Sequence, residues 1–313
     1  MAYTEPLLTR KKVIQVKIET EKGTAETETF TDVLVFDPDI KPTAPFQQRK
    51  GPGKYLGNSE AGIIEERSGS LTCSAELRGN GTNAMDAGLS ILLQGCGLKN
   101  TTETYQVSSS PVNHKTITIW VFEDGVKKIL HGAMGNVTFE GETGKRLMCN
   151  FEFTGIWNTP ADVSLPAFAP SAEPPPILAG GTFSITGTVG TVQNISRFSL
   201  NMNNEVVLRH DINAVSGIAH AAIVDFDPVM GCDLEAQLLA NLSIYTDWLT
   251  GVEAAVSLVL GTGAGKAITF TIPKFQYREI PSGDRSGIQI NDVTGQCNHS
   301  TGDDAVAIAV TTA

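Results

Sequence analysis

Basic residues are scarce in the second half of this 313-residue chain. Residues 161–313 hold six Lys/Arg against fifteen Asp/Glu, whereas residues 1–160 hold seventeen against nineteen. Nearly all of the net charge of −11 therefore lies in the C-terminal half, which excludes a basic nucleic-acid-binding surface there. An acidic surface repels phosphate instead. Long apolar runs are also missing: none approaches the roughly 20 residues that span a bilayer, so membrane insertion is not expected. The opening MAYTEPLLTRKK has no apolar stretch behind a basic start, so no secretory signal is expected there. The five cysteines (Cys73, Cys96, Cys149, Cys232 and Cys297) are odd in number, scattered, and contain no C-x-x-C pair. That pattern points to reduced thiols made in a cytosol, not to a disulfide framework or a zinc site.

Catalytic signatures are absent as well. The stretch VSLVLGTGAGKAITF, residues 256–270, comes nearest to one, because GTGAGK suggests a phosphate-binding loop. Such a loop needs G-x-x-x-x-G-K-[ST] and must open a helix. Gly265 and Lys266 fit, but Leu260 stands where the first glycine belongs and Ala267 replaces the hydroxyl that would reach Mg²⁺. The flanks alternate instead: Val256, Leu258 and Leu260 share one strand face, and so do Ile268, Phe270 and Ile272. Two alternating runs around a glycine-rich turn predict a β-hairpin. His114, His131, His210, His220 and His299 are widely separated, without metal-ligand spacing, and there is no G-x-S-x-G. His299 lies two residues from Cys297, yet QCNHSTGDD reads as a polar loop. In DFD, Asp225 and Asp227 share a strand face with Asp233 close behind, a set that could bind a hard cation or do acid/base work. The following Pro228 favours a solvated strand end. No catalytic, cofactor-binding or metal-ligating residue is assigned.

What the chain does contain is strand after strand. Charged residues make up only 18% and glycines number 31, which suits a β-rich protein better than a helical one. VIQVKIET turns Ile14, Val16 and Ile18 one way, and SLTCSAEL turns Leu71, Cys73, Ala75 and Leu77 inward. TITIWVF, KKILHGA, NVTFE and RLMCNFEFTGIW read as four more strands, with Leu147, Cys149, Phe151 and Phe153 facing the core. AMDAGLSILLQGCG, residues 84–97, has helical spacing and glycines at its end. The segment 37–60 is long and rich in Pro, Gly and charge, which predicts a functional loop. Residues 158–181 carry six prolines and predict a semi-rigid, extended connection. Beyond it, HAAIVDFDP reads as a strand, and DLEAQLLANLSIYTDWLTG as a helix with Asp233 at its N-cap and Gly251 past its end. The hairpin of residues 256–272 and strands in GIQINDV and AVAIAV follow. Strand, helix, hairpin and strand thus recur, which divides the chain into 1–157, a connection over 158–181, and 182–313.

Several of these passages, taken in order, resemble the major tail tube proteins of long, non-contractile-tailed bacteriophages. KKVIQVKIETEKGTAE is similar to that family's first strand and turn. KYLGNSEAGIIEERSGSLTCSAELRGNG followed by LSILLQGCGL is similar to its sheet-then-helix passage. HGAMGNVTFEGETGKRLMCNFEFTGIWNTPADVSLP is the most specific segment, with its G-x-V-x-F, glycine turn, F-x-F-T-G and proline-rich exit. The C-terminal half is similar more diffusely, through VVLRHDINAVSGIA and the strand-rich end.

The resemblance implies a mainly β (α+β) chain of two tail-tube-like domains, each a β-sandwich or half-barrel with a flanking helix. Such domains assemble into β-barrel-lined rings that stack into the hollow tail of the virion, made in the host bacterial cytoplasm. Two domains per chain imply a ring of three chains, and six chains is the competing arrangement. Tape-measure, tail terminator and distal tail proteins are the implied partners, and double-stranded DNA passes through without sticking. Segment 37–60 would be the arm that reaches a neighbouring ring. The function from a different class is a soluble carbohydrate- or metal-binding, or hydrolytic, β-protein using Asp225 and Asp227, with Ca²⁺ as the candidate ion.

Overall fold

In the computed structural model, residues 6–52, 57, 60–186, 193–263 and 265–311 are described. Alternation of side-chain type decides which side of each strand is buried. Met148–Trp157 buries Cys149, Phe151 and Phe153 and turns Asn150, Glu152 and Thr154 outward. Ser68–Glu76 does the same with Leu71, Cys73 and Ala75. Both strands bury the residues that their sequence pattern predicts, because a one-residue slip would put every apolar side chain in water.

These strands belong to one large antiparallel sheet that runs through both halves of the chain. Its order is Phe36–Thr43, Ser68–Glu76, Met148–Trp157, Val126–Glu142, Ile195–Asn201, Val229–Glu235, Ile288–Asn298 and Ile268–Glu279. Two further sets of strands form a layer across the core. Lys12–Ile18 pairs with Thr31–Val33 and with Ile117–Glu123, which joins the first part of Val126–Glu142. Thr182–Thr186 pairs with Ala254–Leu260, which joins the first part of Ile268–Glu279. One cluster of buried apolar residues runs through both halves. Phe139 from one half and Phe198 from the other both meet Phe270, at ring-centroid distances of 5.3 and 5.5 Å.

KKILHGA and NVTFE are not two strands but parts of one 17-residue strand, Val126–Glu142. Gly132, near the end of KKILHGA, has φ 55° and lies in a bulge of this strand. A bulge bends a strand without ending it, so this strand serves one layer with its first part and the other layer with its second.

The helix over Ala87–Gly95 forms as its spacing predicts, with the Asp86 carboxylate accepting from the Leu89 amide at its start. Its face of Leu89, Leu92 and Leu93 is buried in the core. The second helix is much shorter than expected, covering only Ile244–Thr250 between Ser243 and the left-handed Gly251. Asp233 is not its N-cap. It lies inside the strand Val229–Glu235, where Met230, Cys232 and Leu234 alternate into the core, so period 2 prevails over the helical reading.

Segment 37–60 also departs from expectation. Residues 37–43 extend the strand Phe36–Thr43, in which Pro38 and Pro42 are accommodated because the strand lies at a sheet edge. Phe46–Gln47 then pairs with Ile63–Ile64 as a small separate ribbon; residues 53–56 and 58–59 of this segment lie outside the described residues. A second ribbon, Asn204–His210 with Ile218–Phe226, stands apart from the main sheet in the C-terminal half. The proline-rich stretch 158–181 returns along the body, as an extended segment can. It is tied down where Ala169 N–H meets Asp32, where Lys266 meets Glu173 at 2.6 Å, and where Leu178 N–H meets the Lys145 carbonyl.

Candidate functional site

The hairpin around GTGAGK is formed as predicted. Leu260 pairs with Ile268 and Val256 with Ile272, and all of the predicted inward residues are buried. Gly261, Gly263 and Gly265 have φ of 72°, 95° and 67°, so the glycines serve backbone turning. Lys266 is engaged with Glu173. Ala264 lies outside the described residues.

The aspartates of DFD form a solvated strand end. Asp225 accepts its neighbour Phe226 N–H, and Asp227, past the end of the strand, takes Arg278 Nη2 on both carboxylate oxygens at 3.0 Å. Asp233 belongs elsewhere: it accepts the Ser196 and Arg197 amides at 2.7 and 2.6 Å and meets Arg285. Among the described residues, no group of three His, Cys, Asp or Glu is placed to hold a metal ion. The structure does not make Cys297 a nucleophile either, since burial pushes its thiol up to about 12 and only the thiolate is reactive.

The organised polar surface is the outward face of the large sheet. Register aligns one row across seven strands: Ser74, Asn150, Thr138, Asn201, Val229, Gln296 and Gln276. Six of the seven are uncharged and polar. Ser74 Oγ donates to Asn150 Oδ1 at 2.7 Å, and Gln296 Nε2 donates to Gln276 Oε1 at 3.1 Å. Asn136 Nδ2 donates to Asn201 Oδ1 at 2.9 Å across the strand pair that joins the two halves of the chain.

Carboxylates lie on both sides of this row. Glu140, Glu142 and Glu152 face outward from one half, and Asp233, Glu235 and Asp292 from the other. Some are neutralised: Asp292 meets Arg197, Glu142 meets Lys145, and Arg285 spans Asp233 and Glu235. The hydrogen bond from Lys145 holds the Glu142 carboxyl below its usual range. Glu140 and Glu152 have no ion-pair partner among the described residues. The face therefore offers hydroxyls and amides bordered by excess negative charge, which disfavours phosphate.

Comparison with known proteins places the chain in a family. The phage tail tube protein family matches residues 9–297. The chain belongs to that family. It is a structural component of the tail tube of the virion and not an enzyme. Comparison with curated proteins finds no match.

The polar row of this tail tube protein could not be found from single strands. Only Ser74, Thr138 and Asn150 lie in runs that read as strands, and the row exists only once the neighbour of each strand is known.

Proposed function

We propose that residues 1–157 and 182–313 are two tandem tube domains and that three chains close a six-domain ring, with the polar face lining the lumen. The observation that carries this is a repeated strand order. In the first half, the sheet strands in chain order are Phe36–Thr43, Ser68–Glu76, Val126–Glu142 and Met148–Trp157; in space they run first, second, fourth, third. In the second half, Ile195–Asn201, Val229–Glu235, Ile268–Glu279 and Ile288–Asn298 run first, second, fourth, third as well. Each third strand carries a bulge against its hairpin partner at the corresponding place, from Leu130 to Ala133 and from Ile272 to Phe275. Each helix falls between the second and third strands.

The two units are already joined as neighbours in a ring would be. The third strand of the first unit pairs with the first strand of the second through Thr138–Glu142 and Arg197–Asn201. Repeating that step joins the third-strand edge of the second unit, continued by Ser282–Arg285, to Phe36–Thr43 of the next chain. Closure leaves no open edge in the sheet, and contacts along the axis extend the rings into a stack. Double-stranded DNA then passes a wall of hydroxyls, amides and unneutralised carboxylates. Tape-measure, terminator and distal tail proteins would meet the inside and the ends of the stack.

The mass of an isolated ring tests the number. Three times 33.3 kDa supports the tandem arrangement, whereas six times that mass means that the second half is no equivalent wall domain.

A further inference from the structure

The repeat extends to the two small ribbons, and one of them lacks a seat. In both units a ribbon is inserted between the first and second strands of the sheet. In the first it pairs Phe46 with Ile64 and Gln47 with Ile63. In the second it pairs Val206 with Ile223 and Val207 with Ala222. Counting back from the second strand puts Ile64 and Ile223 at the same place, six residues before Ser70 and Val229, which are themselves equivalent through their partners Thr154 and Gln296.

Their surroundings differ sharply. Ile223 is 8% exposed and packs with Val206, Leu208 and Ala221 around Met134 of the first unit. It also touches Gly97, the left-handed residue just past the first helix. Asn204 fixes the ribbon there by donating to the Cys96 and Gly135 carbonyls at 2.8 and 3.0 Å. The second-unit ribbon thus lies against the unit that precedes it in the ring order. Phe46 and Ile64, in the equivalent positions of the first-unit ribbon, are both 62% exposed, because no unit precedes the first one within the chain.

We propose that this ribbon docks on the second unit of the neighbouring chain in the same ring, in the manner of its counterpart. The seat follows from the repeat: Gln276 corresponds to Met134 through the shared bulge, and the left-handed Gly251 corresponds to Gly97. Gln276 and Gly251 adjoin, the Gln276 amide donating to the Gly251 carbonyl. A cleft beside them, lined by Asp227, Pro228, Asn298 and His299, matches the place where the other ribbon's tip meets Arg67 and Trp157. Ribbon and seat are both open in a single chain, and a second copy supplies each with the other, so that the Gln276 end of the polar row lies under a ribbon and the remaining members face the bore. This placement rests on the tandem-domain reading and differs from an arm that reaches along the axis to another ring.

Oxidative cross-linking of assembled tubes carrying Ile64→Cys and Gln276→Cys tests it. The five native cysteines are buried and do not compete. The expected result on a denaturing, non-reducing gel is a ladder that stops at three chains, because a closed ring has no further partner. A ladder stopping at six retains the docking and overturns the three-chain ring. Bands beyond six, or normal tubes that do not cross-link, overturn the docking itself. Phe46→Ser with Ile64→Ser provides the second arm, since both residues are on the surface of the free chain. The chain should keep its native circular dichroism and lose ring formation; closed rings from that variant overturn the proposal.

Discussion

The Glu19 carboxylate accepts the Gly132 amide at 2.6 Å and so fastens the first layer to the bulge of the longest strand. The same carboxylate takes Thr116 and Thr118 hydroxyls at 2.7 and 2.8 Å and the Gly23 amide at 2.8 Å. Glu19 is 5% exposed, so each of these donors would lose this buried acceptor if the side chain were cut back. Glu19→Ala should therefore destabilise the chain by about 3 kcal/mol or more, from several unsatisfied buried groups. Glu19→Gln, which keeps one acceptor oxygen, should cost less. Urea unfolding of the two variants checks the order, and equal losses would contradict it.

Phe270 contacts Phe139 and Phe198 and is 1% exposed. Phe270→Ala opens a cavity where the cores of the two halves meet, with an expected cost of roughly 3–5 kcal/mol. Loss of a single cooperative unfolding transition alongside this cost would show that Phe270 couples the halves. Calorimetry measures both.

Lys266→Ala should leave assembly intact, because Lys266 serves a single ion pair with Glu173 that is half exposed on the lysine side and worth little. Neither the native chain nor the variant should bind ATP in calorimetric titration. Micromolar binding abolished by the substitution would overturn the hairpin reading of GTGAGK.

Acid should act in two steps. Burial lowers the pKa of His131 and His220 from the ordinary 6.5, and Arg209 and Lys22 add to this at His220. The unfolded chain then binds more protons below that value, so stability present above pH 6.5 is lost as pH falls toward the lowered folded values. Glu26 is held down to about 2, chiefly by the hydrogen bond from Lys17. Its contribution is present above the unfolded value of about 4.3 and is lost as pH falls toward 2. The unfolding temperature should decline below pH 6.5 and again below about 4.3; a flat profile from pH 7.5 to 5 would contradict the histidine step.

Glu140→Lys with Glu152→Lys reverses the two unpaired carboxylates of the polar face. Both side chains are exposed, so folding and assembly should persist. Tubes of the variant should retain short duplex DNA roughly tenfold more tightly at low salt, an effect that added salt removes. Unchanged retention would mean that this face does not meet DNA.

Much of the fold was legible because alternation survives in single strands: Cys149, Phe151 and Phe153, or Val256, Leu258 and Leu260, declare their buried side without help. Long-range pairing does not. KKILHGA and NVTFE read as two strands because nothing local shows that the chain continues through a bulge whose Gly132 amide is held by Glu19, 113 residues away. Asp233 looked like a helix cap because Asp before an apolar run satisfies that rule, while the backbone amides it serves come from Ser196 and Arg197. The polar row was hidden for the same reason, being a property of strand neighbours and not of any segment.

The ladder between Thr138–Glu142 and Arg197–Asn201 has a mechanical consequence. Units joined by a flexible linker alone would hinge against each other, but here backbone hydrogen bonds and the shared contacts of Phe270 cross the joint. In the proposed tandem arrangement each chain is then a stiff arc. A bending tail built this way would take up its curvature between successive layers, leaving the bore open along its length.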